Sequence, residues 1–128
     1  MALTKRTKQG GSYYKGYELI VSSSAGDYIL DISETGYSTI NSLSITPDTY
    51  GAGDTMQLSH MNSGTTDTIA ILADSIYNPG ANLATMFDFP ALEMMGAGEV
   101  LRFTYTNTAT EALNVHLIVE YVGITKTS

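Results

Sequence analysis

Two segments in the last third of the chain, GEVLRFTYT (98–106) and LNVHLIVEYVG (113–123), alternate in character residue by residue. In the first, Leu101, Phe103 and Tyr105 fall on one face, and Val100, Arg102 and Thr104 on the other. In the second, Leu113, Val115, Leu117, Val119 and Tyr121 alternate with Asn114, His116, Ile118 and Glu120. Side chains change face at every residue of a β-strand, so a period of two predicts strands with one face buried and much of the other wet. The small polar linker 106–112 predicts that the two form an antiparallel hairpin with a long loop.

Weaker versions of the pattern precede them. YELIV (17–21) and DYILDI (27–32) flank a turn of Ser, Ala and Gly, and YSTINSLSI (37–45) runs into a turn over 46–48. TMQLSHM (55–61) sets Met56, Leu58 and His60 on one side, and NSGTT separates it from DTIAILA (67–73). Strands at this spacing, divided by Gly, Ser, Asn and Pro, predict an all-β chain: an antiparallel sandwich or barrel of about eight strands. Residues 74–98 break the rhythm. They hold two of the three prolines, two of the three phenylalanines and half of the six methionines, which reads as a long loop. Within it LATMFDF is a further strand candidate, and PALEMM a single helical turn. Met86, Phe87, Phe89, Met94 and Met95 would close the end of the sandwich or offer an apolar patch to a neighbouring subunit.

The length of 128 residues suits one domain, expected over 16–125 with a short tail over 126–128. There is no cysteine, which removes disulfides and thiolate metal sites. No apolar run is long enough to span a membrane as a helix, and the first residues lack the apolar core of a signal peptide. The expectation is a chain made in a cytosol, with no membrane partner. A net charge of −7 argues against nucleic acid as a partner of the body, because phosphate contacts need a cationic face.

Catalytic patterns are missing. No Ser sits in G-x-S-x-G, and a hydrolytic triad would have to use His60 or His116, both on strand patterns. Each is read as an ordinary strand residue rather than a base or ligand. The two GAG tripeptides, at 51–53 and 96–98, complete neither a dinucleotide nor a phosphate loop and are read as turns. No calcium-loop spacing is present. The expectation is no enzyme, no cofactor and no metal. Nine Tyr and no Trp leave a sugar-stacking face open, though most of the Tyr lie on strands.

The leader is the other anomaly. Lys5, Arg6, Lys8 and Lys15 are four of the six basic residues, and no Lys or Arg occurs between Gly16 and Leu101. Residues 1–15 are therefore expected to form an extended basic arm. Tyr13 and Tyr14 add groups that gain by burial in a partner, and Gly10–Gly11 add a hinge. A basic, aromatic arm on an acidic body reads as an assembly device.

The acidic β body, the Thr/Ser/Gly-rich turns and the ending GEVLRFTYTNTATEALNVHLIVEYVG together resemble small tailed-bacteriophage capsid decoration, or cement, proteins of jelly-roll or β-sandwich type. The resemblance implies a non-enzymatic virion protein on the capsid surface, bound to a major capsid protein and favouring a homotrimer. It implies that Lys5, Arg6, Lys8, Tyr13, Tyr14 and Lys15 are arm contacts. Two other classes stay open: another virion component of the head–tail or tail, and a receptor- or carbohydrate-binding head. An enzyme would need a cleft that unites His60 or His116 with carboxylates.

Overall fold

A computed structural model describes residues 12–122; the side chains of residues 12 and 90–92 lie outside that description. It contains eight strands: β1 (Ser12–Val21), β2 (Gly26–Ser33), β3 (Ser38–Pro47), β4 (Thr55–Met61), β5 (Thr68–Tyr77), β6 (Thr85–Met95), β7 (Val100–Asn107) and β8 (Leu113–Val122). No helix occurs among the described residues.

The pairing is nested. β1 lies antiparallel to β8, β2 to β7, β3 to β6 and β4 to β5, as though one long hairpin had been wrapped on itself. Two further pairings, β3 with β8 and β4 with β7, complete two four-stranded sheets of order β1-β8-β3-β6 and β2-β7-β4-β5. This is the connectivity of a jelly roll.

The alternation seen in the sequence sets which side chains meet between the sheets. Leu101, Phe103 and Tyr105 of β7 face Val115, Leu117, Val119 and Tyr121 of β8 across the core, all buried, with Ile40, Leu43 and Ile45 of β3 and Met56 and Leu58 of β4 beside them. Each fully buried aliphatic or aromatic side chain contributes ~1.5–3 kcal/mol through the apolar surface removed from water.

Two expectations are corrected. β7 and β8 are not hairpin partners: they lie in opposite sheets, each between two other strands. A period of two reports which face is buried. It does not distinguish a neighbour in the same sheet from a strand across the core, and the linker lets the chain cross over. The loop expected over 74–98 is largely strand, since β5 runs to Tyr77 and β6 covers Thr85–Met95. The helical turn expected at PALEMM is absent; that segment is strand with a wide bulge. Between two register points β3 advances from Ile40 to Ser42 while β6 goes back from Glu93 to Asp88, so β6 carries extra residues around Pro90. Proline has no N–H to give a ladder, and β6 is an edge strand, where such a break is tolerated.

Candidate functional site

Antiparallel pairing sorts the connections into two ends. The β1–β2, β3–β4, β5–β6 and β7–β8 connections share one end. The other end holds the start of β1, the finish of β8, and the β2–β3, β4–β5 and β6–β7 turns. Each end carries a polar cluster drawn from segments remote in sequence.

At the first end Asp54 is fully buried. Its Oδ2 accepts a hydrogen bond from the Tyr105 hydroxyl at 2.5 Å. Its Oδ1 accepts from the Thr108 N–H at 2.7 Å, the Ala109 N–H at 2.9 Å and the Thr108 hydroxyl at 3.1 Å. Asn78 donates from Nδ2 to the Tyr105 oxygen at 2.9 Å and to the Thr49 carbonyl at 3.0 Å, and its Oδ1 accepts from the Gly80 N–H. Burial pushes the Asp54 carboxyl up, but the Tyr105, Thr108 and Ala109 donors outweigh it and hold it below its ordinary value. Burial, and then the bond to Asp54, push the Tyr105 hydroxyl well above its ordinary range. A Cβ at Gly51 would fall on Asp54 Oδ2, so the GAG turn at 51–53 serves this carboxylate by leaving room for it.

At the second end the buried imidazole of His60 on β4 sits between two carboxylates. Nδ1 is 2.7 Å from Glu93 Oε2 on β6, and Nε2 is 2.8 Å from Glu99 Oε1 in the β6–β7 turn. Because β4 and β6 belong to different sheets, the ring ties an inner strand of one sheet to the edge strand of the other. A neutral imidazole has one N–H and donates to one carboxylate at a time, and here each ring nitrogen lies within hydrogen-bond distance of one. Glu99 Oε1 also accepts from the Gly96 N–H at 2.7 Å, and that bond, with the one to His60, holds its carboxyl below its ordinary value.

His60 is thus a buried strand residue, joined to carboxylates that no local pattern announced; they lie 33 and 39 residues away. The Asp54 carboxylate can take a proton from a bound molecule only by giving up a bond within the fold, and both ring nitrogens of His60 are turned to carboxylates of the fold. His116 is exposed, with Glu18 at 3.9 Å. Among the described residues no group of three or more His, Cys, Asp or Glu is placed to hold a metal ion.

Asp54 and Glu99 make acid the condition that weakens this fold. Both have folded values below their unfolded ones, so the stability they add is full above the unfolded value, roughly pH 4 for a carboxylate, and is lost as pH falls through the folded value. Urea midpoints are expected to hold steady from pH 7 to 5 and to drop below pH 4. Asp54→Asn should flatten that drop; an unchanged drop would show that other carboxylates cause it.

The residues expected in the arm divide. Lys5, Arg6 and Lys8 lie outside the described residues. Tyr13, Tyr14 and Lys15 are strand residues, because β1 begins at Ser12 and pairs from there with Val122. Tyr13 and Lys15 continue the inward face of Tyr17, Leu19 and Val21. Tyr13 stacks on Tyr121 with ring centroids 5.1 Å apart, and Lys15 pairs with Glu34 of the other sheet's side at 2.9 Å. Tyr14 alone points outward, 66% exposed, and donates to Glu120 at 3.3 Å. The Met and Phe group is likewise split by the alternation of β6. Met86 and Met94 are exposed, Phe87 and Phe89 are half-buried against the core, and Met95 is within it.

No protein-family model matches the chain, and no curated protein matches it. Among solved structures it is similar to a chain of the cyanophage Pam1 capsid asymmetric unit, at 13% identity and a TM-score of 0.53, covering 97% of this chain and 93% of that one. A chain of infectious bursal disease virus, strain Gx, aligns at 8% identity and a TM-score of 0.41, over 96% of this chain and 36% of that one. The likeness to the cyanophage chain shows a shared fold, an eight-stranded jelly roll that accounts for nearly all of both chains.

Proposed function

We propose that the chain is a non-enzymatic structural protein of a virion: a decoration or cement protein that binds the assembled shell and bridges neighbouring capsid subunits. The observation that carries this reading is the near end-to-end likeness in fold to a chain of a phage capsid asymmetric unit. Two features agree with it. The polar clusters at both ends are spent on the fold, and the leader sets positive charge against an acidic body. The partner is a major capsid protein, reached by Lys5, Arg6 and Lys8, with Tyr14, Met86 and Met94 available on the outside of the sandwich. A protein that binds only the assembled shell stabilises it by its binding free energy, and many copies on a symmetric lattice add up.

Expressed alone, such a protein is expected to remain a small oligomer. Light scattering should give a mass near three times 13.7 kDa, about 41 kDa for a trimer, and negative-stain images should show no closed shells. Uniform closed particles formed by the chain alone would replace this reading with that of a shell-forming subunit. A monomer at every salt concentration would favour a receptor-binding head.

A further inference from the structure

The outer face of sheet β1-β8-β3-β6 combines exposed apolar side chains with carboxylates. Register places Gly16, Ile118, Ser44 and Met86 in one row straight across the four strands. Ile118 is 48% and Met86 59% exposed; Ser44 leaves a notch between them, and Gly16 leaves another on the far side of Ile118. Tyr14 and Ile20, also exposed, flank the row on β1. Exposed apolar side chains set out on one face with small residues beside them offer apolar contact to a partner.

Charge decides what fits there. All thirteen Asp and Glu of the chain lie among residues 12–122, which contain only two of its Lys and Arg, Lys15 and Arg102, so this part carries 2 − 13 = −11. Both cations are committed, Lys15 to Glu34 and Arg102 to Asp31, and neither projects from this face. The face itself bears Glu18, which lies 3.9 Å from the His116 ring, the exposed Asp88, and Glu120, which accepts from Tyr14, Asn41 and Ser42. On the outer face of the other sheet the carboxylates are occupied: Asp31 by Arg102, Asp27 by the Thr106 hydroxyl and Asp74 by Gln57. Two copies set face to face here would bring like charges together, so the occupant has to be cationic. Residues 1–11 supply that chemistry, with Lys5, Arg6 and Lys8 beside the apolar Leu3. Extended, eleven residues reach at most ~40 Å, against roughly 15 Å across four strands.

We propose that the basic segment 1–11 of one copy lies across the outer face of sheet β1-β8-β3-β6 of a second copy, its cations toward Glu18 and Asp88 and its apolar residue on the Ile118–Met86 row. The partner named is a second copy of this chain, which takes the place of the capsid protein as the target of Lys5, Arg6 and Lys8; the rest of the virion reading does not enter the inference.

The test uses full-length protein, ordinary and ¹⁵N-labelled, mixed in equal amounts, exchanged and treated with a zero-length carbodiimide cross-linker. Mass spectrometry is expected to find Lys5 or Lys8 joined to Glu18 or Asp88, with about half of the joined peptides carrying one label of each kind, as random exchange requires. Glu18→Gln with Asp88→Asn should weaken self-association about tenfold, and 1 M salt, with a screening length of ~3 Å, should do the same. Asp27→Asn with Asp74→Asn on the other sheet should change it less than twofold. Joined peptides of a single isotope only, links mainly to Asp27 or Asp74, or no links at all would each overturn the proposal. An absence of links would leave the shell-binding role standing, since the leader would then be free for a different acceptor.

Discussion

Asp54→Ala is expected to lower the unfolding free energy by about 3–5 kcal/mol, as several buried donors lose their acceptor at once. The carboxylate is fully buried and accepts four hydrogen bonds. Its loss strands the Tyr105 hydroxyl and the N–H groups of Thr108 and Ala109, and each buried group left without a partner costs ~1–3 kcal/mol. It also removes the bonds by which this side chain ties the β7–β8 connection to the β3–β4 turn. Asp54→Asn keeps one acceptor oxygen for Thr108 and Ala109 and should cost less than half as much. Urea unfolding of the two variants and of Tyr105→Phe, arranged as a double-mutant cycle, separates the hydroxyl bond from the rest. A loss below about 1 kcal/mol for Asp54→Ala would mean that water reaches the site and replaces the missing acceptor.

Phe103→Ala should be comparably damaging, about 3–5 kcal/mol. Phe103 has no exposed surface and lies on β7 between β2 and β4, opposite Leu30 and Leu58 in register. Strands on both sides and the second sheet above it leave little room for collapse, so the cavity persists and adds to the lost transfer free energy. Phe103→Leu, which keeps most of the volume, should cost a fraction of that. The comparison is read from denaturant midpoints at constant m-value. A changed m-value would point to a loosened native state instead.

The strands and their buried faces were legible because side-chain alternation is a local property. Leu101, Phe103 and Tyr105, and the odd-numbered residues of β8, were assigned to the core from spacing alone. Strand partners were not legible, since two runs of the same period fit equally well beside each other or across a core. β1 was read as starting at Tyr17, yet Tyr13, Lys15, Tyr17, Leu19 and Val21 continue one inward face. Tyr13 and Lys15 concealed it, because each stays part-exposed even while it stacks on Tyr121 or pairs with Glu34. The first part of β6 was legible in LATMFDF; the rest was hidden by its bulge, which shifts the alternation around Pro90 and makes a strand resemble a loop. The His60 cluster could not be read at all: its acceptors come from another strand and a turn, and only the fold brings them within 3 Å.

The nested pairing also governs when the fold can form during synthesis. Ser12 finds its ladder partner in Val122, and Gly26 in Asn107, so the first strand made waits for the last. Only β4 and β5 are both consecutive and paired. At roughly 5–20 residues per second, a ribosome would hold β1 to β3 without their sheet neighbours for several seconds. Long-range closure of this kind is slow even for a free chain. Chaperone dependence should therefore fall mainly on the nascent protein, and a chain shortened before β8 leaves both β1 and β3 with an unclaimed edge.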